Sequence, residues 1–206
     1  VGGDDPRGGD IARDKFELFL EAIDGAGVVQ GDPRQVGEGR YLAIEPRSET
    51  LRDHIWWGSG SRATAEDTGR KGLNLMSSTL LTEATGAEFH VLQREQIDQY
   101  RAAYKAAGHT GTPRVSVSRS VFPLVNGVID GFRSTFGKTY AAEPDVLVKQ
   151  LLADEAVMAA DTLMLTIPNQ LGVDYNLHVL DSFARYVAPE LGWKPNTAGP
   201  VEGDPA

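Results

Sequence analysis

The sequence predicts an α/β fold in which short apolar strands alternate with amphipathic helices. Four strand–helix pairs follow one another between positions 54 and 191, and the first two of these helices are followed directly by Gly72 and Gly108. Strands joined through helices form right-handed βαβ units, so the strands should lie parallel in one sheet that helices cover. An open doubly wound sheet and a (β/α) barrel both meet this description, although four pairs fall well short of the eight in a barrel.

A further helix is predicted over 11–23, before these pairs begin. Its apolar residues recur at the spacing of one helical face and are Phe16, Phe19, Leu20, Ile23. The stretch over 27–53 is rich in glycine, proline and charge, which predicts a long surface loop with a short extended piece at 40–44. This region therefore separates the first helix from the repeating part of the chain.

The boundaries of the four pairs follow from apolar runs and from helical spacing. The predicted strands are 54–57, 73–78, 114–125, 162–167. The helices predicted to follow them are 61–71, 93–107, 144–160, 175–191. The third strand, RVSVSRSVFPLV, alternates β-branched and polar residues and is interrupted near Pro123. Within the third helix, the acidic pair Asp154 and Glu155 is expected to form a solvated face.

Composition excludes several classes of protein. Of 206 residues, 41% are hydrophobic and 24% charged, and no run of about 18 apolar residues occurs, so we expect neither membrane insertion nor secretion. The absence of cysteine excludes disulfides and thiolate metal sites and is compatible with the cytoplasm. A net charge of -9, spread along the chain, argues against nucleic-acid binding. The sequence begins without methionine, so we expect a fragment of a longer protein.

The stretch IWWGSGSRATAEDTGRKG places a glycine-rich turn between the first strand and its helix. Gly58 and Gly60 would let the backbone approach a ligand closely, and Ser61 can cap the helix while its first amides point outward. Those N–H groups and the helix dipole favour an anion. Thr64 would place a second hydroxyl on the same side of the first turn. A phosphate monoester is the ligand that this arrangement predicts.

Two alternatives to a phosphate site remain open for the turn. Serine followed by threonine after glycine is often only a helix cap in a tight turn. The turn also matches G-x-G-x-x-A, the fingerprint of a dinucleotide-binding Rossmann domain. That interpretation is disfavoured because the next strand, LNLMSST, ends in hydroxyls where an acidic residue should bind a ribose.

Three blocks extend this pattern: IWWGSGSRATAEDTGRKGLNLMSST, QIDQYRAAYKAAGHTGTPRVSVSRSVFPL and ADTLMLTIPNQLGVDYNLHVLDSFARYVAPELGW. Taken in order, they resemble the C-terminal half of the luciferase-like flavin monooxygenases. The resemblance covers about 51–193 and implies a (β/α)8 TIM barrel of the luciferase-like type, of which this chain supplies the last four βα units. We therefore expect 1–194 to be the C-terminal part of such a barrel and 195–206 to be a flexible tail.

The resemblance also implies where a flavin would bind. The phosphate loop of the family falls on Gly60, Ser61 and Thr64, the residues that the turn itself selects. Met76, Ser77 and Ser78 would line the flavin ring system. Arg119 would reach a flavin or substrate oxygen from inside the barrel, and its alternative is an arginine paired with a carboxylate or turned outward at a strand end.

The family resemblance implies a monooxygenase that uses reduced FMN and O2 to oxygenate an unidentified organic substrate. An F420-dependent hydride transfer and a non-catalytic flavin-binding partner protein are the alternatives. A flavin reductase is a possible partner, and a homodimer is the expected assembly. The catalytic residue is unknown, because a catalytic histidine in this family usually comes from the N-terminal half. None of the four histidines has metal-ligand spacing, so no metal is predicted.

Overall fold

A five-stranded parallel sheet organises the computed structural model of the protein, which describes residues 8–83, 85–125 and 137–195. The strands are β1 (Val29–Gln30), β2 (Tyr41–Leu42), β3 (Trp56–Ser59), β4 (Asn74–Ser77), β5 (Val115–Pro123), β6 (Thr139–Ala142), β7 (Thr162–Leu165). The helices are α1 (Gly8–Ile23), α2 (Pro33–Val36), α3 (Arg62–Arg70), α4 (Phe89–Ala106), α5 (Pro144–Leu152), α6 (Glu155–Ala159), α7 (Val173–Tyr186). The predicted alternation of strands and helices around a parallel sheet is confirmed.

The sheet is ordered around its longest strand, β5. Strands β3, β4 and β5 pair in that order, the first half of β5 also pairs with β7, and its second half pairs with β6. Strands β1 and β2 form a separate antiparallel ribbon in the loop after α1. Within the described residues the strands do not close into a barrel, so the predicted (β/α)8 barrel is confirmed only as far as its parallel sheet.

Several elements differ from the sequence-based expectation. The first strand of the parallel sheet begins at Trp56, because Leu51–His54 forms a 3-10 turn. The helix expected over 144–160 is two helices, since the Asp154 side chain accepts the amides of Ala156 and Val157 and starts α6. The last helix ends at Tyr186, and Ala188–Leu191 is a separate 3-10 turn. Strand β6 was not predicted, and 196–206, most of the expected tail, lies outside the described residues.

The two faces of the sheet differ because side chains alternate along each strand. On the helix-covered face, Leu75, Val115 and Val117 pack with residues of α3, α4 and α6 in one buried cluster. The opposite face carries Met76 from β4 and the even-numbered residues of β5, with Ser116 opposite Met76 in the register. This alternation decides which predicted site residues can lie together.

Helices α3 and α4 pack closely over the first cluster. Gly69, in the last turn of α3, is buried at their contact, where an added Cβ would lie 2.4 Å from the Tyr100 carbonyl oxygen. A side chain there would push the helix backbones apart, so glycine sets the spacing of this pair. None of the helices in the described segments has the length and apolar composition needed to cross a lipid bilayer.

Candidate functional site

The glycine-rich turn lies at the carboxyl end of β3, the edge of a parallel sheet where ligands usually bind. Ser61 has an extended backbone and caps α3: its Oγ accepts the Thr64 N–H at 3.2 Å. The Ser61 and Thr64 hydroxyl oxygens are 3.0 Å apart. The structure therefore brings together the two hydroxyls that the sequence singles out.

Two of the first three amides of α3, those of Arg62 and Thr64, already have hydrogen-bond partners, contrary to the sequence-based expectation. The Arg62 N–H donates to Glu83 Oε2 at 2.9 Å, and the Thr64 N–H is the one bonded to Ser61. The Arg62 guanidinium also contacts Glu83 at 3.3 Å and Glu95 at 3.1 Å. A carboxylate thus already satisfies the preference of this helix N-terminus for an anion. Glu83 was missed because it lies in an aperiodic segment 21 residues away.

The segment after β4 folds over the turn. Thr82 donates its N–H and its hydroxyl to the Gly60 carbonyl oxygen at 2.9 and 3.2 Å. A Cβ at Gly60 would lie 2.7 Å from the Leu80 carbonyl oxygen, so this position requires glycine for contact with protein backbone. Gly58 differs: it is exposed, and an added Cβ would meet only the Met76 methyl, at 3.9 Å, among the described residues. The described part of the chain therefore leaves open space beside Gly58.

The three candidate wall residues do not share one face of the sheet. Met76 pairs in register with Gly58 and is half-buried, whereas Ser78 lies just beyond the end of β4, where its hydroxyl oxygen accepts the Leu80 N–H at 3.0 Å. Ser77 faces the helices, where it is buried and its hydroxyl donates to Gln96 Oε1 at 3.3 Å. The structure corrects the expectation for Ser77, because its side chain is turned away from the face that carries Met76.

Arg119 also faces the helices rather than the interior of a barrel. Its side chain is fully buried and forms two hydrogen bonds to Asp154, from Nε at 2.8 Å and from Nη2 at 2.9 Å. The Tyr140 hydroxyl donates to the same carboxylate at 2.7 Å. The geometry thus matches the alternative of an arginine paired with a carboxylate. The expectation that Asp154 forms a solvated face is wrong, because this carboxylate is buried within a hydrogen-bond network.

The protonation states within this network are set by burial and hydrogen bonding. Burial acts to raise the pKa of Asp154, but the hydrogen bonds from Arg119 and Tyr140 outweigh it and hold that pKa below its usual value. Burial and the bond to Asp154 together raise the pKa of the Tyr140 hydroxyl. An ionised carboxylate, a guanidinium and a neutral phenol therefore form a structural unit between β5, β6 and α6.

Comparison with solved structures identifies the fold. The chain is similar to monooxygenase RslO1 from Streptomyces bottropensis, with 15% identity over 88% of this chain and a TM-score of 0.56. It is also similar to the oxygenating constituent of 3,6-diketocamphane monooxygenase from the CAM plasmid of Pseudomonas putida, a type II Baeyer–Villiger monooxygenase in complex with FMN. The latter match has 13% identity over 88% of this chain and a TM-score of 0.58. The chain shares the fold of these two monooxygenases.

The shared monooxygenase fold is partial and distant in sequence. The chain spans 62% of the length of RslO1 and 63% of the length of the oxygenating constituent. No protein-family model matches the chain, and no curated protein matches it either. Similarity at this level of identity shows a common architecture and leaves the reaction to be argued from the site.

Proposed function

We propose that the protein is part of a flavin-dependent oxidoreductase of the luciferase-like monooxygenase type, and that FMN is its cofactor. The observation that carries this proposal is the pair of hydroxyls on Ser61 and Thr64, 3.0 Å apart at the start of α3 and at the carboxyl end of β3. Support comes from the monooxygenase fold and from the FMN bound in one of the similar structures.

The residues of the turn fit a flavin phosphate in part. Two hydroxyls and the N-terminus of a nine-residue helix suit a phosphate, whereas the Glu83 carboxylate opposes one. In this proposal Glu83 leaves the Arg62 amide when the phosphate binds. The space beside Gly58 and Met76 then accommodates the remainder of the cofactor, with Met76 as an apolar wall.

A reduced flavin bound here would supply the electrons with which O2 is activated to oxygenate an organic substrate. The function requires that substrate, O2 and a source of reduced flavin, for which a flavin reductase is the proposed partner. A homodimer is the proposed assembly. The phosphate site suits F420 as well as FMN, so the two cofactors are separated only by direct comparison of binding.

Removal of both hydroxyls should weaken FMN binding. In the Ser61→Ala, Thr64→Ala double variant we expect the Kd for FMN to rise at least tenfold, since each hydrogen bond to a charged group contributes about 1.5–3 kcal/mol. Fluorescence titration of the full chain with FMN, and in parallel with F420, measures this change. Circular dichroism checks that loss of the Ser61 cap leaves α3 folded.

The matched control for this experiment is the Ser48→Ala, Thr50→Ala variant. It removes an exposed pair of hydroxyls 3.4 Å apart, far from the turn in sequence, and should leave the Kd unchanged. Equal affinity for FMN in wild type and in the Ser61, Thr64 variant would remove the phosphate assignment.

Neutralising the Glu83 carboxylate, which competes with the phosphate, should strengthen FMN binding. We expect Glu83→Gln to lower the Kd for FMN roughly fivefold, because the phosphate no longer displaces a negative charge from the helix N-terminus. The same fluorescence titration measures this change in the Kd. The control is Glu66→Gln, which alters an exposed residue of α3 that pairs with Arg70. Unchanged or weaker binding in Glu83→Gln would show that the phosphate does not enter this position.

A further inference from the structure

An open cavity of about 480 Å³ lies between the segment after β4, the start of α4 and the residues that lead into β6. Its large apolar lining residues are Leu80, Leu81 and Phe89. Its charged and titratable residues are Glu88, His90 and Lys138. The cavity is therefore amphipathic, because ionisable groups and large apolar side chains both line it.

The ionisable cluster is organised around Lys138. Its Nζ lies 2.9 Å from His90 Nδ1, and it lies 5.3 Å from the centre of the Tyr140 ring. An ammonium group can only donate, so Nδ1 accepts this bond and Nε2 is the ring nitrogen left to donate. Among the described residues Lys138 forms no ion pair with a carboxylate. Within that part of the chain, this half-buried cation therefore has a histidine and no carboxylate within ion-pair distance.

An acidic residue, Glu88, also lines this cavity and contacts His90. A Glu88 carboxylate oxygen lies 3.4 Å from His90 Nδ1, but its side chain is 78% exposed and it makes no capping hydrogen bond to α4. The start of α4 therefore differs from that of α3, where Ser61 and Glu83 occupy the amides. The dipole of the 18-residue helix α4 adds to the positive potential that Lys138 creates.

We infer that this cavity binds the anionic group, a carboxylate or a phosphate, of a small organic molecule whose apolar part lies against Leu80, Leu81 and Phe89. The anion pairs with Lys138, and His90 Nε2 offers a second donor. The inference is independent of the flavin proposal, because none of the residues that hold the anion belongs to the turn. Leu80 connects the two places, since its carbonyl oxygen lies against Gly60 and it also lines this cavity.

Titration of the full chain with hexanoate and hexyl phosphate, followed by NMR of the histidine ring carbons, tests the inference. The chain has four histidines, and His90→Gln identifies the signal of His90. We expect that signal to shift saturably with either ligand. The Kd should rise at least tenfold in Lys138→Met and fall in Glu88→Gln, which removes the neighbouring negative charge.

The controls separate this site from its alternatives. Lys149→Met, on the exposed face of α5, should bind both ligands as wild type does. The inference is overturned if neither ligand gives a saturable shift, if Lys138→Met binds equally well, or if hexanol binds as tightly as hexanoate. Inorganic phosphate binding as tightly as hexyl phosphate would overturn the apolar part of the assignment. Should Lys138→Met fail to fold, the Glu88→Gln and hexanol comparisons still decide.

Discussion

Replacement of Asp154 by asparagine is expected to lower the free energy of unfolding by about 3–5 kcal/mol. The change leaves the fully buried Arg119 guanidinium without its carboxylate, and a buried charge without a partner is strongly destabilising. Asparagine retains an oxygen that can accept the amides of Ala156 and Val157, so the start of α6 is preserved. Denaturation followed by circular dichroism measures the loss.

An exposed ion pair provides the matched control. Asp181→Asn breaks the pair of α7 between Asp181 and Arg185, whose side chains are 57% and 66% exposed, and should change stability by less than about 1 kcal/mol. The double variant Arg119→Met, Asp154→Asn removes the buried charge as well and should recover part of the loss. If Asp154→Asn and Asp181→Asn are equally stable, Arg119 is not held by a buried pair.

The same carboxylate predicts how stability depends on pH. The pKa of Asp154 is lower in the folded protein than its ordinary value of 3.8, so the stabilisation is complete above that value. It is lost as the pH falls through the lowered pKa of the folded state. The difference in unfolding free energy between wild type and Asp154→Asn should therefore narrow in acid. A difference in unfolding free energy that widens in acid would contradict a lowered pKa of Asp154 in the folded protein.

Substitution of Gly69 by alanine is expected to lower the free energy of unfolding by about 3 kcal/mol. The new Cβ would lie 2.4 Å from the Tyr100 carbonyl oxygen and 2.9 Å from the Tyr104 nitrogen. Both atoms belong to the backbone of α4, so only separation of the two helices relieves the contact. The higher helix propensity of alanine, about 1 kcal/mol, offsets only part of this effect.

Gly9→Ala in α1 is the control for this substitution. Among the residues that the structure describes, its added Cβ would have only the Arg13 side chain nearby, at 3.9 Å, so the variant should be neutral or more stable by up to about 1 kcal/mol. Urea denaturation of both variants gives the comparison. A Gly69→Ala variant as stable as Gly9→Ala would show that α3 and α4 do not pack as closely as the structure places them.

Several features of the site were accessible from the sequence. The Ser61 cap and its neighbour Thr64 follow from local spacing, because a helix cap is decided by residues within one turn. The alternation in VSVSRSV also contains the information that places Arg119, since a residue in phase with the valines faces the helices as they do. Asp154, directly before Glu155 and an apolar run, matches a helix N-cap, which is the signal for the break between α5 and α6.

Other features depend on contacts between distant segments. Strand β6 has four residues, TYAA, without a strong strand pattern. Its extended conformation is therefore decided by pairing with the second half of β5. The cavity around Lys138 joins residues 48 positions apart, His90 and Lys138, across two elements. No spacing rule connects such residues, because their distance is set by how the elements pack.

The sequence by itself determined four alternating strand–helix pairs, the parallel sheet and the capped turn at Ser61, since period and capping are local properties of the chain. The tertiary structure decided that Glu83 occupies the first amide of α3, that Asp154 neutralises Arg119 and that Lys138 has no carboxylate partner among the described residues. The physical reason is that charges act through space: the partner of a cation or of a helix N-terminus is whichever group folding brings within a few ångströms.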